Sequence, residues 1–319
     1  MPLLPLLSRA HFFRFQVVNT QVISGLFSTL AGTSISVDWG DGSARSTYTG
    51  TDQAWSKDYG SAGNRLVRIY GAQNLTKFTM IEAGANVQFD LADLPTGLTY
   101  FLCYGSNTVT GDLADLPAGM TYFNCQGSNT VTGDLADLPA GMTYFRCEGS
   151  NTVTGDLADL PAGMTYFLCY GSNTVTGDLA DLPAGMTHFL CTGSNTVTGD
   201  LADLPTGLTY FRCEGSNTVT GDLANLPSGV THFKCYGSNT ISAYTGKTWT
   251  TKPATFDLQG LSSLDQTEVD NLLIDFDTDL VWAAGNVIVI TGNCAAPSAA
   301  SAAAIANMTA EGATVMVNA

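Results

Sequence analysis

Gly111-Asp112-Leu113-Ala114-Asp115-Leu116-Pro117-Ala118-Gly119-Met120-Thr121-Tyr122-Phe123-Asn124-Cys125-Gln126-Gly127-Ser128-Asn129-Thr130-Val131-Thr132 is one of seven near-copies of a 22-residue text. Cys103, Cys125, Cys147, Cys169, Cys191, Cys213 and Cys235 mark the period without a slip. A fixed interval in this range means stacked supersecondary units, because one unit alone is too small to bury its apolar residues. From Tyr122 to Gln126 the text alternates, with Phe123 and Cys125 on one face and Tyr122, Asn124 and Gln126 on the other, which predicts a half-buried strand. Gly127-Ser128-Asn129 is turn chemistry, and Asp115-Leu116-Pro117-Ala118-Gly119 is a second turn, too short and too rich in breakers for a helix. The expectation is one strand per coil, with stacked columns of Leu113, Leu116, Met120, Phe123, Cys125 and Val131 equivalents forming the core.

Working outward, residues 12–71 read as short strands around a turn at Asp38-Trp39-Gly40-Asp41-Gly42-Ser43, and Leu75, Phe78 and Met80 read as a degenerate first coil. At the other end, Asp265 and Glu268 form a capping box for a helix running to about Phe276. Val287–Thr291 is expected as a strand, Pro297–Glu311 as an alanine-rich helix stopped by Gly312, and Thr314–Val317 as a last strand.

Met120-x-x-Phe123-x-Cys125 followed by Asn129-x-Val131-x-Gly133 resembles the leucine-rich repeat, and the Leu-Pro before each strand resembles its bacterial versions. Asn129 stands one residue later than in the commonest form, and the resemblance implies that it bonds backbone groups as a ladder. Trp39-Gly40-Asp41-Gly42-Ser43, with Tyr59 and Gly63, resembles polycystic-kidney-disease-type β-sandwich modules. The closing segment resembles the carboxy-terminal caps of phage and bacterial leucine-rich-repeat proteins. The expected fold is mostly β. It comprises a small β-sandwich-like module over 1–74, a parallel leucine-rich-repeat solenoid of seven 22-residue coils over 75–242, and an α/β cap over 243–319.

Charged residues are only 13% of the 319 and the formal net charge is −16. That balance repels nucleic-acid phosphates and anionic membranes, and no stretch approaches the ~20 apolar residues needed to span a bilayer. The start, with Leu3-Leu4-Pro5-Leu6-Leu7 broken by proline and followed by Arg9, His11 and Arg14, reads as mature sequence rather than a secretion signal.

Comparing the copies with one another shows where they differ. The residue before each cysteine runs Leu102, Asn124, Arg146, Leu168, Leu190, Arg212, Lys234. The residue after it runs Tyr104, Gln126, Glu148, Tyr170, Thr192, Glu214, Tyr236. A third outward column runs Tyr100, Tyr122, Tyr144, Tyr166, His188, Tyr210, His232. These columns share one sheet face and hold almost all the chemical diversity of the repeats. With Leu102, Leu168 and Leu190 expected to be exposed beside tyrosines, the strip is the candidate ligand-binding surface.

No nucleophile, acid–base pair or metal-binding spacing is recognisable. His11, His188 and His232 have no catalytic partner, no Cys-x-x-Cys or Cys–His spacing occurs, and the cysteine column reads as small buried hydrophobes. No cofactor is expected and the chain is read as a non-enzyme. Between residues 90 and 242, thirteen Asp and two Glu face three basic residues. The recurrent Asp112 and Asp115 positions read as turn-capping, solvated carboxylates rather than calcium ligands. Thr130-Val131-Thr132 and its equivalents put two threonine columns outward in arrays that resemble ice-binding solenoids.

The resemblances together imply an extracellular or virion-surface recognition protein, of adhesin or phage-tail receptor-binding type. Its implied partner is a host-surface protein or glycan, with other particle subunits beside it. The alternative is a structural fibre or spacer subunit, and ice binding through the threonine columns is a minor one.

Overall fold

The computed structural model describes residues 12–81, 86–103, 108–170 and 172–319. The chain forms two compact units, Met1–Val153 and Thr154–Ala319. The stretch read for a secretion signal, and Tyr104 of the strip, lie outside the described residues. The fold is mostly β, with two α-helices among the described residues.

In the first unit the elements are β1 (Phe12–Thr29), β2 (Ser34–Asp38), β3 (Ser46–Thr49), β4 (Gln53–Tyr70), β5 (Leu75–Met80), β6 (Val87–Asp90), β7 (Tyr100–Cys103), β8 (Thr108–Asp112), β9 (Tyr122–Asp134) and β10 (Tyr144–Gly149). The repeat strands β5, β7, β9 and β10 pair parallel and in register, so that Phe78, Phe101, Phe123 and Phe145 stack. Their ring centroids lie 5.7–5.9 Å apart and every ring is fully buried. Register is forced because a slip of one residue would turn each phenylalanine out into water.

Strand β1 ends this ladder. Its second half pairs antiparallel with β5, from Gly25↔Met80 to Thr29↔Leu75, and Gln16 and Val17 pair with Gln88 and Val87 of β6. One strand thereby covers the edges of both repeat ladders, edges that would otherwise offer unpaired N–H and C=O groups to another chain. The register shifts between Val17 and Val22, with Asn19 at φ 46°, let β1 serve two directions. Phe13 and Phe15 then meet Phe78 and Phe89 at centroid distances of 5.1–6.1 Å. On the far side β1 pairs with β4, and β4 with β2. Here Trp39 is buried with its Nε1 donating to Ser46 Oγ at 2.9 Å, while the Tyr59 hydroxyl donates to the Trp39 carbonyl at 3.2 Å. Lys57, donating to Asp41, holds that carboxyl far below the usual range.

The second unit begins within β11 (Thr152–Asp156). It continues with β12 (Tyr166–Cys169), β13 (Thr174–Asp178), β14 (His188–Cys191), β15 (Thr196–Asp200), β16 (Tyr210–Cys213), β17 (Thr218–Thr220), β18 (His232–Cys235), β19 (Thr255–Leu258), α1 (Gln266–Asp279), β20 (Val287–Ile290), α2 (Ala302–Ala310) and β21 (Thr314–Val317). β12, β14, β16 and β18 repeat the in-register ladder. It then runs on through β19, β20 and β21, with His232↔Thr255, Thr255↔Val287 and Val287↔Thr314. The capping box on Asp265 and Glu268 is formed, and α1 extends through Asp279.

Three expectations need correction. The coils carry a second extended segment after the turn, not one strand alone, and in β9 the two segments run together as a single strand. In the second unit Thr-Val-Thr-Gly-Asp forms its own parallel ladder, as in Thr176↔Thr196 and Gly177↔Val197. β19 was not anticipated; Phe256 and Leu258 alternate with Thr255 and Asp257 as in the repeats, but the 22-residue text is gone. Helix α2 starts at Ala302, not Pro297. The buried Asp270 carboxylate of α1 accepts from Ser298 N at 2.9 Å and from the Ser298 and Ser301 hydroxyls, and this holds residues 298–301 in a turn.

Among the described residues one asparagine is fully buried at each repeat turn from Asn129 to Asn239. Asn129 Oδ1 accepts from Val109 N, Asn151 from Val131 N, Asn195 from Val175 N, Asn217 from Val197 N and Asn239 from Val219 N, all at 2.8–2.9 Å. Each asparagine satisfies a backbone donor of the preceding coil, as the repeat resemblance implied. Asn217→Ala strands the Val197 N–H in the core, and we expect it to destabilise by about 1–3 kcal/mol in urea unfolding. Gly199 has φ +120°, and a Cβ there would sit 2.6 Å from Asp178 Oδ1 and 2.7 Å from Leu179 N. Gly199→Ala should lower the melting temperature by several degrees, since both strain and clash oppose it.

Candidate functional site

The candidate strip lies on the face of the repeat strands opposite the cysteines. All seven repeat cysteines are buried, and burial pushes the thiols of Cys103, Cys147, Cys191, Cys213 and Cys235 up, making them unreactive. Cys125 and Cys147 Sγ atoms lie 3.9 Å apart, unbonded.

The outer face is packed more tightly than expected. Leu102, Leu168 and Leu190 are only 7%, 5% and 4% exposed, and Asn124 is 1% exposed. Thr192 and Glu214 are also buried. The expectation that the three leucines form an exposed apolar cluster is therefore overturned. In-register strands lie only ~4.8 Å apart, so each middle-column side chain is walled in by its neighbours above, below and along the strand. Tyr100, Gln126, Arg146, Glu148, Tyr170, His188, Arg212, His232, Lys234 and Tyr236 are half-buried. They carry the accessible chemistry of the strip among the described residues.

The third column is an aromatic stack. In the first unit Tyr100, Tyr122 and Tyr144 stack at 4.0 and 4.2 Å, and Lys77 Nζ caps the end 4.7 Å above the Tyr100 ring. In the second unit Tyr166, His188, Tyr210 and His232 stack at 4.9, 5.9 and 4.9 Å. Faces of these rings are consumed by one another, so the column offers edges: phenol hydroxyls and imidazole nitrogens.

The histidine tautomers follow from the neighbouring threonines. Thr187 Oγ1 donates its one proton to the Thr165 carbonyl at 2.9 Å and lies 3.0 Å from His188 Nδ1. The hydroxyl is therefore the acceptor toward the ring, and Nδ1 carries the hydrogen. Thr231, bonded to the Thr209 carbonyl, fixes His232 in the same way at 3.1 Å. Both Nε2 lone pairs are left as acceptors. Burial lowers both pKa values, assisted by His232 for His188 and by Lys234 for His232.

Charged members of the strip are tied down within a strand. Arg146 Nε donates to Glu148 Oε1 at 2.7 Å. Arg212 is bonded twice to Glu214, donates to the Tyr170 hydroxyl at 2.8 Å, and lies 5.5 Å from the Tyr170 ring centroid. The Glu214 bond raises the Arg212 pKa further. Burial and the Glu214 carboxylate push Tyr236 up to about 12, so it stays a neutral phenol. In the first unit Gln126 Nε2 donates to Asn124 Oδ1 at 3.1 Å, and Asn124 Nδ2 to the Tyr122 hydroxyl at 3.3 Å. Within each unit the arginine of the strip is neutralised and hydrogen-bonded by the glutamate two residues on.

Other sequence-derived candidates resolve differently. The first aspartate of each turn caps a 3-10 turn, as in Asp178 Oδ1 accepting from Ala180 N at 3.0 Å. No group of three or more potential metal ligands occurs among the described residues. The threonine columns are not the rectangular array expected. The pairing Thr176↔Thr196 sets the second threonine of one coil beside the first of the next, and Thr176 and Thr198 Oγ1 each donate to the preceding coil's aspartate at 3.2 Å. Among the described residues no helix is long and apolar enough to cross a membrane.

No family model matches the sequence, and no curated protein matches it. The chain is similar to the solved structure of a plant peptide hormone receptor, RGFR1, in complex with RGF2, with a TM-score of 0.48 and 16% identity. The match covers 72% of this chain and 38% of that one, so the chain spans well under half of the receptor chain.

The histidine geometry gives a pH dependence with a definite sign. The folded pKa of His188 lies below the ordinary imidazole value of 6.5, so the unfolded chain takes up protons first as pH falls below that value. Stability is full above it and declines as pH drops through the folded pKa. NMR titration should place His188 below 6.5, and His232→Gln should move it upward; no movement would remove the coupling between the two rings.

Proposed function

We propose that the chain is a non-enzymatic recognition protein of leucine-rich-repeat type, exposed on a particle or outside a cell. In this reading it binds a protein through the strip beside the cysteine column. The observation that carries this is the confinement of variation to a surface pre-organised by its own bonds, Tyr170–Arg212–Glu214 above all. Side chains already held in place lose little freedom on binding, and tyrosine and arginine are the residue types that anchor interfaces. Stacked ring faces favour a protein over a glycan, because a sugar packs on an aromatic face and here those faces are occupied. A phage-tail receptor-binding component or bacterial adhesin is the form we favour, with a polycystic-kidney-disease-like module at its amino-terminal end.

Display selection of random peptides against the intact chain, run beside a glycan array, tests this. We expect peptide binders whose affinity falls about 10-fold or more with Tyr170→Ser and again with Tyr236→Ser, both in proteins with wild-type melting curves. Selected peptides indifferent to both substitutions would reject the strip. Glycan binding lost with the same substitutions would replace the protein partner by a sugar. Immunogold electron microscopy of intact particles and cell surfaces locates the chain.

A further inference from the structure

The charge of the chain is divided unevenly. Residues 1–80 carry seven basic and four acidic side chains, a net of +3, while residues 81–319 carry five and twenty-four, a net of −19. Within residues 1–80, three of the seven cations gather on the β1–β4 part of the sheet. Arg14 lies directly across from Arg68, flanked by the pairs Phe12↔Tyr70 and Gln16↔Leu66 on the same face. Like charges directly opposite one another on an antiparallel pair are destabilising. Arg45 adds a third guanidinium 3.8 Å from the Tyr70 ring centroid. Each of the opposed arginines has one carboxylate at its edge, Arg14 with Asp93 at 3.0 Å and Arg68 with Asp38 at 4.0 Å, and both side chains remain exposed. Phe12 and Leu66 beside them are each 38% exposed.

The turns of the repeats hold the complement. Asp159, Asp181 and Asp203 each end a 3-10 turn and each is exposed, one per coil in adjacent turns. Among the described residues none of the three has an ion-pair partner. A file of like charges repels itself and is relieved by an opposing row of cations, most effectively by guanidinium forks.

We propose that the Arg14–Arg68 face of one copy docks on the Asp159–Asp181–Asp203 file of a second copy. The contact joins two different surfaces, so each copy keeps one free surface of each kind. Such heterologous contacts propagate into open chains unless the rotation closes a ring. The proposal is independent of the strip and of its ligand.

Sedimentation velocity of the full chain tests it. At about 50 mM salt the mean mass should rise with protein concentration without reaching a plateau, and at about 500 mM salt the chain should be monomeric. Arg14→Gln/Arg68→Gln and Asp159→Asn/Asp181→Asn/Asp203→Asn chains should each be monomeric alone, yet an equimolar mixture should form a terminated dimer, because each supplies the charged surface the other lacks. The charge-reversed Arg→Glu and Asp→Lys sets should also be monomeric alone, but their mixture should regain open association, because the Glu-bearing face of one fits the Lys-bearing file of the other; the neutral sets keep the test valid if a reversal fails to fold. A wild-type chain that stays monomeric at low salt overturns the proposal. So does a dimer that plateaus and persists in high salt, or association untouched by either set.

Discussion

A backbone N–H with no water to reach recurs from coil to coil among the described residues, and the asparagine of the following coil answers it. Val175 N to Asn195, Val197 N to Asn217 and Val219 N to Asn239 are bonds of 2.8 Å between groups at essentially zero exposure. The Asn217 and Asn239 amides turn back to carbonyls of their own coil, Glu214 and Tyr236. The turn after the cysteine strand is thus defined by the next coil as much as by its own sequence. The phenylalanine stack supplies the larger apolar burial, but apolar contact is tolerant of sliding, whereas this bond is made at one register only. It explains why so little of the text between Gly127 and Thr132 varies while the residues around the cysteine do.

Most of the fold was legible because the chain says the same thing seven times. Period, inward phenylalanine and cysteine, the capping box at Asp265 and the last two strands all follow from local pattern. What was not legible depends on partners distant in sequence. The second extended segment of the coils reads as turn and threonine chemistry until a neighbouring copy pairs with it. Strand β19 keeps the alternation of the repeats without their text. Helix α2 begins late because Asp270, 28 residues before Ser298, holds the hydroxyls there.

The strip was legible in outline and misjudged in depth. Alternation correctly sets Leu168 and Leu190 on the face away from Cys169 and Cys191. It says nothing of how much water reaches them, which is decided by the 22-residue neighbours on either side. The accessible atoms are instead ring edges, two imidazole Nε2 lone pairs and the Tyr170–Arg212–Glu214 knot. That knot needs residues 42 apart in sequence, Tyr170 and Arg212, and so has no local signal.

Strand β1 has a bearing on the order of folding. Within the repeats each contact closes a short loop, so nucleation can begin at any pair of coils and spread by neighbours. β1 is different: Gly25 pairs with Met80 and Gln16 with Gln88, across far longer stretches of chain. β1 is synthesised before β5 and β6 and must wait for them before either half has its repeat-side edge to join. Until then an 18-residue strand with alternating Phe13, Phe15 and Val17 lacks its repeat-side partners, which makes β1 dependent on chaperone shelter during synthesis.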